Sequence, residues 1–279
     1  MSQSIAQHTE PTATPPSDEA VRRLAEKAGW YHTIEVAPGV WTRGAYDHTP
    51  CLPHYRFPES LRGWTALDVG ASEGFFAYHL ESLGADRIVA VDTDTFDGSV
   101  AIDPSRAHTA KYAEKYRKRA ATNEGHEETY RALGVPVGNH RLAAAALRRS
   151  AVEFRIGDVY TLEALGERFD LVFCGDLLTH LKHPIAAAEQ LALVTGRLCI
   201  VALADALAPS PDADDTKRCE YVGNVSGGAF FHFTPECLRE LLLASGFASV
   251  EIVSRFDLPD RARSIVNPHA VLHCRREPA

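Results

Sequence analysis

Leu67-Asp68-Val69-Gly70-Ala71-Ser72-Glu73-Gly74-Phe75-Phe76-Ala77-Tyr78-His79-Leu80, followed by Asp86-Arg87-Ile88-Val89-Ala90-Val91-Asp92-Thr93-Asp94, is the stretch that decides the fold. Thr65 to Val69 is a short apolar run that ends in a glycine turn, and Gly74 opens a helix through about Leu83. Arg87 to Val91 is a second short apolar run, closed by Asp92. Runs of this length, bounded by turn residues and separated by a helix, read as buried strands of a β-α-β unit.

Working outward, the same signal recurs. Val152 to Ile156, Phe169 to Cys174, Arg197 to Leu203, Phe247 to Val253 and His269 to Cys274 are further apolar runs. Helical stretches lie between them, notably Pro184 to Val194 and Thr234 to Ser245. Pro184 and Pro235 suit first-turn positions and Gly246 suits a helix end. Continuous apolar strands alternating with helices imply a sheet covered on both faces. The expected fold is α/β, a Rossmann-like doubly wound sheet of seven strands. It is mostly parallel, and the closely spaced last two strands form a hairpin that leaves one strand antiparallel near the C-terminus.

The rest of the chain is organised around residues 65–279. Residues 1–17 are polar, with prolines at Pro11, Pro15 and Pro16, and read as a disordered tail. Residues 18–64 read as an N-terminal extension, with a short helix capped by Ser17 or Asp18 and ended by Gly29, then a hairpin turning at Pro38-Gly39. Its aromatic residues Trp30, Tyr31, Trp41 and Tyr46, with His32, suit either a lid over a ligand or a small satellite core. Thr93 to Ser150 is too long for a plain connection and reads as a partly helical insertion.

Composition excludes several function classes. The formal net charge of the 279 residues is −8, the wrong sign for a chain whose main task is to hold a polyanion. The basic stretch Lys111 to Arg119 is balanced by Glu114, Glu124, Glu127 and Glu128, so nucleic acid is disfavoured as a partner. No apolar run is long enough for a membrane span, and the first twenty residues lack the basic start and apolar block of a secretory signal. The six cysteines form no Cys-x-x-Cys pair, and reduced thiols in a cytoplasmic protein are expected. The thirteen histidines include no H-x-H or H-E-x-x-H cluster, so no metal is expected.

In an open parallel sheet, ligands bind beyond the carboxyl ends of the strands, where strand order reverses. Gly70 lets the backbone turn and approach a ligand closely, and Gly74 allows tight entry into the helix. Asp92, at the tip of the second strand, is placed to accept hydrogen bonds from both hydroxyls of a ribose. A nicotinamide dinucleotide site would need glycines where Ser72 and Phe75 stand. Acidic Glu73 would also repel a diphosphate at the helix N-terminus. A methyl donor carries no phosphate and tolerates both. Asp158, after the third strand, could accept from an adenine amine with Val159 beside the ring, and the backbone at Gly175 and Asp176 should border the remainder of the donor. Together with Asp68, Ala71, Ser72 and Thr93, these residues form the expected donor site. Any one of them alone is an ordinary turn or cap residue; the signal is their joint occurrence at four strand ends in order.

From about Thr65 onward the sequence resembles the class I S-adenosylmethionine (SAM)-dependent methyltransferase superfamily. The nearer resemblance is to the group of tRNA wobble-uridine carboxymethyltransferases and their unassigned bacterial relatives. It is carried by WYHTIEV (30–36), GVWTRGAYD (39–47), FDLVFCGDLLTHLKHP (169–184), RCEYVGN (218–224) and FFHFTPECLRELLLASGF (230–247). The superfamily implies SAM as cofactor. The tRNA enzymes use a carboxylated SAM, and Arg43 could replace their carboxylate-binding lysine, but Thr179 stands where they have a tyrosine and His269 where they have an arginine. Those two losses, with the acidic net charge, point to ordinary SAM and a small-molecule acceptor.

On the acceptor side, His180 lies just beyond the fourth strand and is the candidate general base, against a reading in which it packs or caps the next turn. His183 reads as a surface residue. His232, within an aromatic run, suits either a pocket wall or core packing. Trp41, Arg43, Tyr46, Tyr221, Asn224 and His232 are the expected acceptor contacts. The expected function is methyl transfer to an oxygen, nitrogen or carbon nucleophile of a small molecule, by an enzyme that could be a homo-oligomer. The alternatives are a tRNA wobble-uridine-modifying methyltransferase or carboxymethyltransferase, and a non-catalytic SAM-binding protein.

Overall fold

The structure, a computed structural model, describes residues 14–93, 121–205, 207, 217–223 and 229–276. Helix α1 (Asp18–Lys27) is capped by Ser17, whose hydroxyl accepts the Ala20 N–H at 3.2 Å, and Asp18 and Glu19 in its first turn complement the helix dipole. Strands β1 (Glu35–Ala37) and β2 (Val40–Trp41) pair antiparallel around the expected turn, where Gly39 takes φ +72°. The short helix α2 (Leu52–Tyr55) completes the extension.

The central sheet follows. Strand β3 (Thr65–Val69) leads through the glycine turn into α3 (Phe75–Ser82) and β4 (Arg87–Asp92). Helices α4 (Glu127–Ala132) and α5 (His140–Arg148) precede β5 (Glu153–Ile156). Then come β6 (Phe169–Gly175), α6 (Pro184–Val194) and β7 (Thr195–Ala204), a small ribbon of β8 (Cys219–Tyr221) and β9 (Phe231–Phe233), α7 (Pro235–Ala244), and the hairpin β10 (Ser249–Asp260) and β11 (Ile265–Arg275). Of the stretch expected as an insertion, 121–150 contains α4 and α5; residues 94–120, with the basic run 111–119, and the tail residues 1–13 lie outside the described residues.

The sheet has seven strands in the order β10-β11-β7-β6-β3-β4-β5. Neighbours from β7 to β5 are parallel, while β11 is antiparallel to both β7 and β10. Strand β10 therefore points with the parallel set and β11 alone is reversed, as expected. Strands β4 and β5 lie to one side of β3 and β6 and β7 to the other, so the topological switch point falls between β3 and β6. Val69 is in register with both Val91 and Cys174, which brings the carboxyl ends of β3, β4 and β6 level at that point.

Both faces of the sheet are buried, with the period of two that strand geometry imposes. Ala66, Ile88, Ala90, Leu171, Phe173, Leu198 and Ile200 pack into one apolar cluster with α3, α5 and the N-terminal extension. Leu67, Val89, Val91, Val172, Cys199 and Val201 pack into the other, with α6 and α7. Each fully buried aliphatic side chain of this kind contributes about 1.5–3 kcal/mol.

The hairpin is longer than expected from sequence and its far end clasps the N-terminal extension. Phe256, Leu258 and Asp260 alternate buried with exposed neighbours, a strand pattern that the Pro259-containing sequence disguises as a turn; proline is tolerated because β10 is an edge strand. Tyr46 bridges to Asp260, the Arg261 N–H donates to the Ala45 carbonyl at 2.9 Å, and Arg261 pairs with Asp47 at 2.7 Å. Among the described residues no helix is long and apolar enough to cross a membrane, and no group of three or more His, Cys, Asp or Glu is placed to hold a metal ion.

Candidate active site

The turn after β3 is built on two left-handed glycines, Gly70 at φ +77° and Gly74 at φ +93°, with Ser72 between them at φ +51°. A Cβ on Gly74 would stand 2.8 Å from Cζ of Phe154, and one on Gly70 would stand 3.2 Å from Leu177, so neither glycine has room for a side chain without displacement. The Gly70 and Ala71 N–H groups donate to the Val91 carbonyl at 2.8 and 3.2 Å, which ties the turn to the tip of β4.

Asp92 faces this turn. Its Oδ2 accepts the Ser72 N–H at 2.7 Å and its Oδ1 accepts the Thr93 N–H at 2.7 Å. A carboxylate oxygen has two lone pairs, so each retains one for a ligand hydroxyl. Nη2 of Arg141, a buried side chain on α5, stands 3.9 Å from Asp92 Oδ2 and adds positive charge behind the carboxylate. Thr93 is exposed beside it. Asp158 caps the helical turn Val159–Leu165 by accepting the Tyr160 N–H at 3.1 Å, and Val159 is buried beneath it.

Two acidic residues serve the protein's own backbone. Asp68 is buried and its Oδ2 accepts the Ala77 N–H at 2.9 Å, so the amino end of α3 already holds an internal carboxylate where a diphosphate would otherwise sit. Burial pushes the Asp68 carboxyl up to about 7, against the Ala77 hydrogen bond and with help from the charge of Asp92. Glu73 is fully buried and turned into the N-terminal extension, where it accepts the N–H groups of Tyr31 and His32. The sequence argument gave Glu73 a repulsive role at the helix N-terminus; the structure gives that place to Asp68 and makes Glu73 an anchor.

On the other side of the switch point, Gly175 and Asp176 end β6. The Asp176 N–H donates to the Ala202 carbonyl at 2.9 Å, its Oδ1 accepts the Ala204 N–H at 2.9 Å, and its Oδ2 lies 3.1 Å from Nε2 of His269 on β11. His180 ends the single helical turn Leu178–His180 and is exposed. The Phe230 N–H donates to the Thr179 carbonyl at 2.7 Å, which sets the β8–β9 ribbon beside that turn. Tyr221 and His232 belong to this ribbon, with Tyr221 largely exposed, whereas Asn224 lies outside the described residues.

The extension covers the amino end of α3. His48 is buried, its ring 5.4 Å from Phe75 and 5.0 Å from Phe76, and its Nδ1 lies 2.8 Å from the Tyr55 hydroxyl. Burial, then the neighbouring His32, lowers the His48 pKa to about 3, so it is neutral. Tyr46 packs on Tyr31 at 4.9 Å and donates to Asp260 at 3.1 Å; burial and the charge of Asp260 push its hydroxyl up to about 12. Trp41 and Arg43 stand exposed on and beside β2, and the hydrogen bonds and ring contacts joining Tyr46 to this group do not run through them. A groove between α1 and α4, lined by Ser17, Arg23, Glu127, Glu128 and Arg131 among others, shares no residue with the crevice at the switch point.

A family described as a methyltransferase domain matches residues 52–252. The chain belongs to this family. No curated protein matches the methyltransferase significantly. Among solved structures it is similar to the N-terminal domain of EvdMO1 with S-adenosylhomocysteine (SAH) bound, at 19% identity and a TM-score of 0.54, covering 95% of this chain and 100% of that one. The same domain in the presence of SAH and D-fucose gives 20% identity, a TM-score of 0.53 and the same coverage of 95% and 100%. The 1,6-didemethyltoxoflavin-N1-methyltransferase of Burkholderia thailandensis is similar over 77% of this chain and 72% of that one, at 17% identity and a TM-score of 0.44.

These findings correct one expectation. The nearer kinship with tRNA wobble-uridine carboxymethyltransferases does not hold: the matching family is described as a methyltransferase domain, and the similar structures are those of the EvdMO1 N-terminal domain with SAH. Sequence reasoning missed the anchoring role of Glu73, the buried His48, and the pairing of His269 with Asp176. Only His269 carried a signal, since it stood out as a departure from the pattern expected at its position.

Proposed function

We propose that this methyltransferase uses SAM and methylates a small-molecule acceptor on an oxygen, nitrogen or carbon nucleophile. The observation that carries the proposal is the pairing of the 70–74 glycine turn with the Asp92 carboxylate at the switch point, next to a helix N-terminus already occupied by Asp68. Such a crevice accepts an adenosine and leaves no anion site for a diphosphate. The EvdMO1 domain crystallised in the presence of SAH and D-fucose supports a small, hydroxylated acceptor.

When bound, SAM supplies a methyl group activated by a sulfonium. The residues of the chain bind, orient and exclude water. Asp92, with Thr93 beside it, takes the ribose hydroxyls. Gly70, Ala71, Ser72 and Gly74 let the backbone approach the donor, and Asp68 holds the turn against α3. Asp158 and Val159 border the adenine, and the backbone of Gly175 and Asp176 borders the methionine portion. His180, exposed at the acceptor side, removes the proton from the acceptor's nucleophile, a contribution worth ~100- to 10,000-fold for a hydroxyl. Tyr46, Tyr221 and His232 wall the acceptor. Because charge disperses in the transition state, alignment supplies most of the remaining acceleration.

Calorimetry with SAM, and separately with a nicotinamide dinucleotide, tests this directly. Binding of SAM and no binding of the dinucleotide is expected. The reverse result would end the proposal.

A further inference from the structure

Asp176 is held in a conformation that a residue other than glycine rarely adopts, φ +49°. Left-handed backbone at such a residue costs roughly 1 kcal/mol or more. What holds it there is a complete set of bonds: N–H to the Ala202 carbonyl, Oδ1 from the Ala204 N–H at 2.9 Å, and Oδ2 against His269 Nε2 at 3.1 Å.

His269 is held as tightly. Its Nδ1 lies 2.7 Å from the Asn267 carbonyl oxygen, which can only accept, so Nδ1 carries a proton. Its Nε2 faces a carboxylate and donates as well, which makes the ring an imidazolium. The ring stacks on Phe256 with centroids 5.3 Å apart. Burial alone would lower its pKa, yet the charge and hydrogen bond of Asp176, the Asn267 carbonyl and the charge of Asp257 raise it. The Asp176 carboxyl is lowered in turn: burial opposes ionisation, and the charge and hydrogen bond of His269 lead the effects that outweigh it.

The pair is asymmetric. The His269 side chain is 3% exposed and that of Asp176 is 30% exposed. A buried cation with both N–H groups used stands behind an anion with an open face, and each oxygen of that anion retains one lone pair. The hydroxyls of Tyr46 and Tyr55 are both pushed up, by burial first and with a contribution from the charge of Asp176, so both are protonated at neutral pH.

We propose that the Asp176–His269 ion pair positions the acceptor: His269 fixes the carboxylate, and the open oxygens of Asp176 take two adjacent hydroxyl hydrogens of a neutral acceptor, a vicinal diol or catechol. His269 is a positioning residue in this arrangement and Asp176 a binding residue. An anionic acceptor meets the carboxylate and finds no free N–H on the pair. This inference rests on the reading of the chain as a SAM-dependent methyltransferase, which SAM calorimetry on the wild-type protein tests by itself.

The experiment uses the full chain loaded with SAH and labelled with nitrogen-15 at histidine. Ring-nitrogen resonances of His269 are followed while catechol, guaiacol (one hydroxyl blocked by a methyl) or benzoate is added at millimolar concentration. Imidazolium-type shifts at neutral pH, moved by catechol, less by guaiacol and not by benzoate, are expected. Asp176→Asn should abolish both the imidazolium signature and the catechol response. A neutral His269 at pH 7, unmoved resonances with catechol, or a larger response to benzoate would overturn the proposal. Should Asp176→Asn fail to fold, the wild-type titrations decide alone.

Discussion

Glu73 takes the backbone N–H of Tyr31 on both of its carboxylate oxygens, at 2.8 and 3.0 Å. It also accepts the His32 N–H at 2.8 Å, and Nδ1 of His32 and of His140 stand 3.6 and 3.7 Å away. Trp30 stacks on His140 at 4.5 Å, which closes the cluster over the carboxylate. The donor turn and the N-terminal extension are thereby one mechanical unit, since Glu73 sits between Ser72, which touches Asp92, and Gly74, which opens the way to α3.

Replacing Glu73 by Ala should therefore act at both ends. It leaves buried N–H groups without an acceptor, each costing about 1–3 kcal/mol. Denaturant unfolding should show a loss of about 3 kcal/mol, and limited proteolysis should cut the extension near Tyr31 sooner than in the wild type. Glu73→Gln keeps one carbonyl acceptor and should lose less. Equal stability of wild type and Glu73→Ala would remove the anchoring role.

Gly74 carries two separable constraints, a positive φ and the closeness of Phe154 at 2.8 Å to a Cβ. Gly74→Ala should destabilise the protein by about 1–3 kcal/mol, as strained backbone and overpacking each do. Adding Phe154→Leu should recover the packing part and leave the backbone part. Full recovery in the double variant would show that φ is not limiting there.

How much of this was legible in the sequence follows from distance along the chain. The strands, Gly70, Gly74 and Asp92 announce themselves because their causes are local: apolar runs, a backbone conformation only glycine takes easily, an acid at a strand tip. Glu73 looked like a charge at a helix N-terminus because its partners lie 42 and 41 residues upstream. Asp176 and His269 lie 93 residues apart and meet only because β11 inserts beside β7. The ribbon β8–β9 has strands of three residues, too short for any period to show. The methyltransferase assignment came through because four strand ends were read jointly.

Asp92→Ala should weaken SAM binding by about 1–3 kcal/mol, the range for hydrogen bonds to a charged group, measured by calorimetry. It should also loosen the turn, because the Ser72 N–H loses its acceptor. Asp92→Asn keeps one acceptor oxygen and should fall between. Unchanged affinity in both variants would reassign Asp92 to the turn alone.

His180 is exposed, so its removal has little structural cost. His180→Ala should lower kcat by ~100-fold or more for a hydroxyl acceptor while SAM affinity stays within about twofold. A variant with wild-type turnover would return His180 to the surface.

Asp68 makes a pH-dependent contribution whose sign is opposite to that of an ordinary surface carboxylate. Its folded-state pKa is raised, by burial first, to about 7 from a model-compound value of 3.8. Between those values the folded protein keeps a proton that the unfolded chain has released, so this contribution to stability is complete below about 4 and is lost as pH rises through 7. By ~1.4 kcal/mol per pKa unit the loss is at most roughly 4 kcal/mol. His48 acts the other way: its pKa is lowered by burial to about 3, so its contribution is present above the unfolded value of 6.5 and is lost as pH falls toward 3. The two slopes overlap in wild-type melting curves, and the difference between wild type and Asp68→Asn isolates Asp68. That difference in Tm should favour Asp68→Asn increasingly from pH 5 to pH 8. A difference that does not change over that range would mean that Asp68 is ionised in the folded protein throughout, with the Ala77 N–H sufficient to hold its charge.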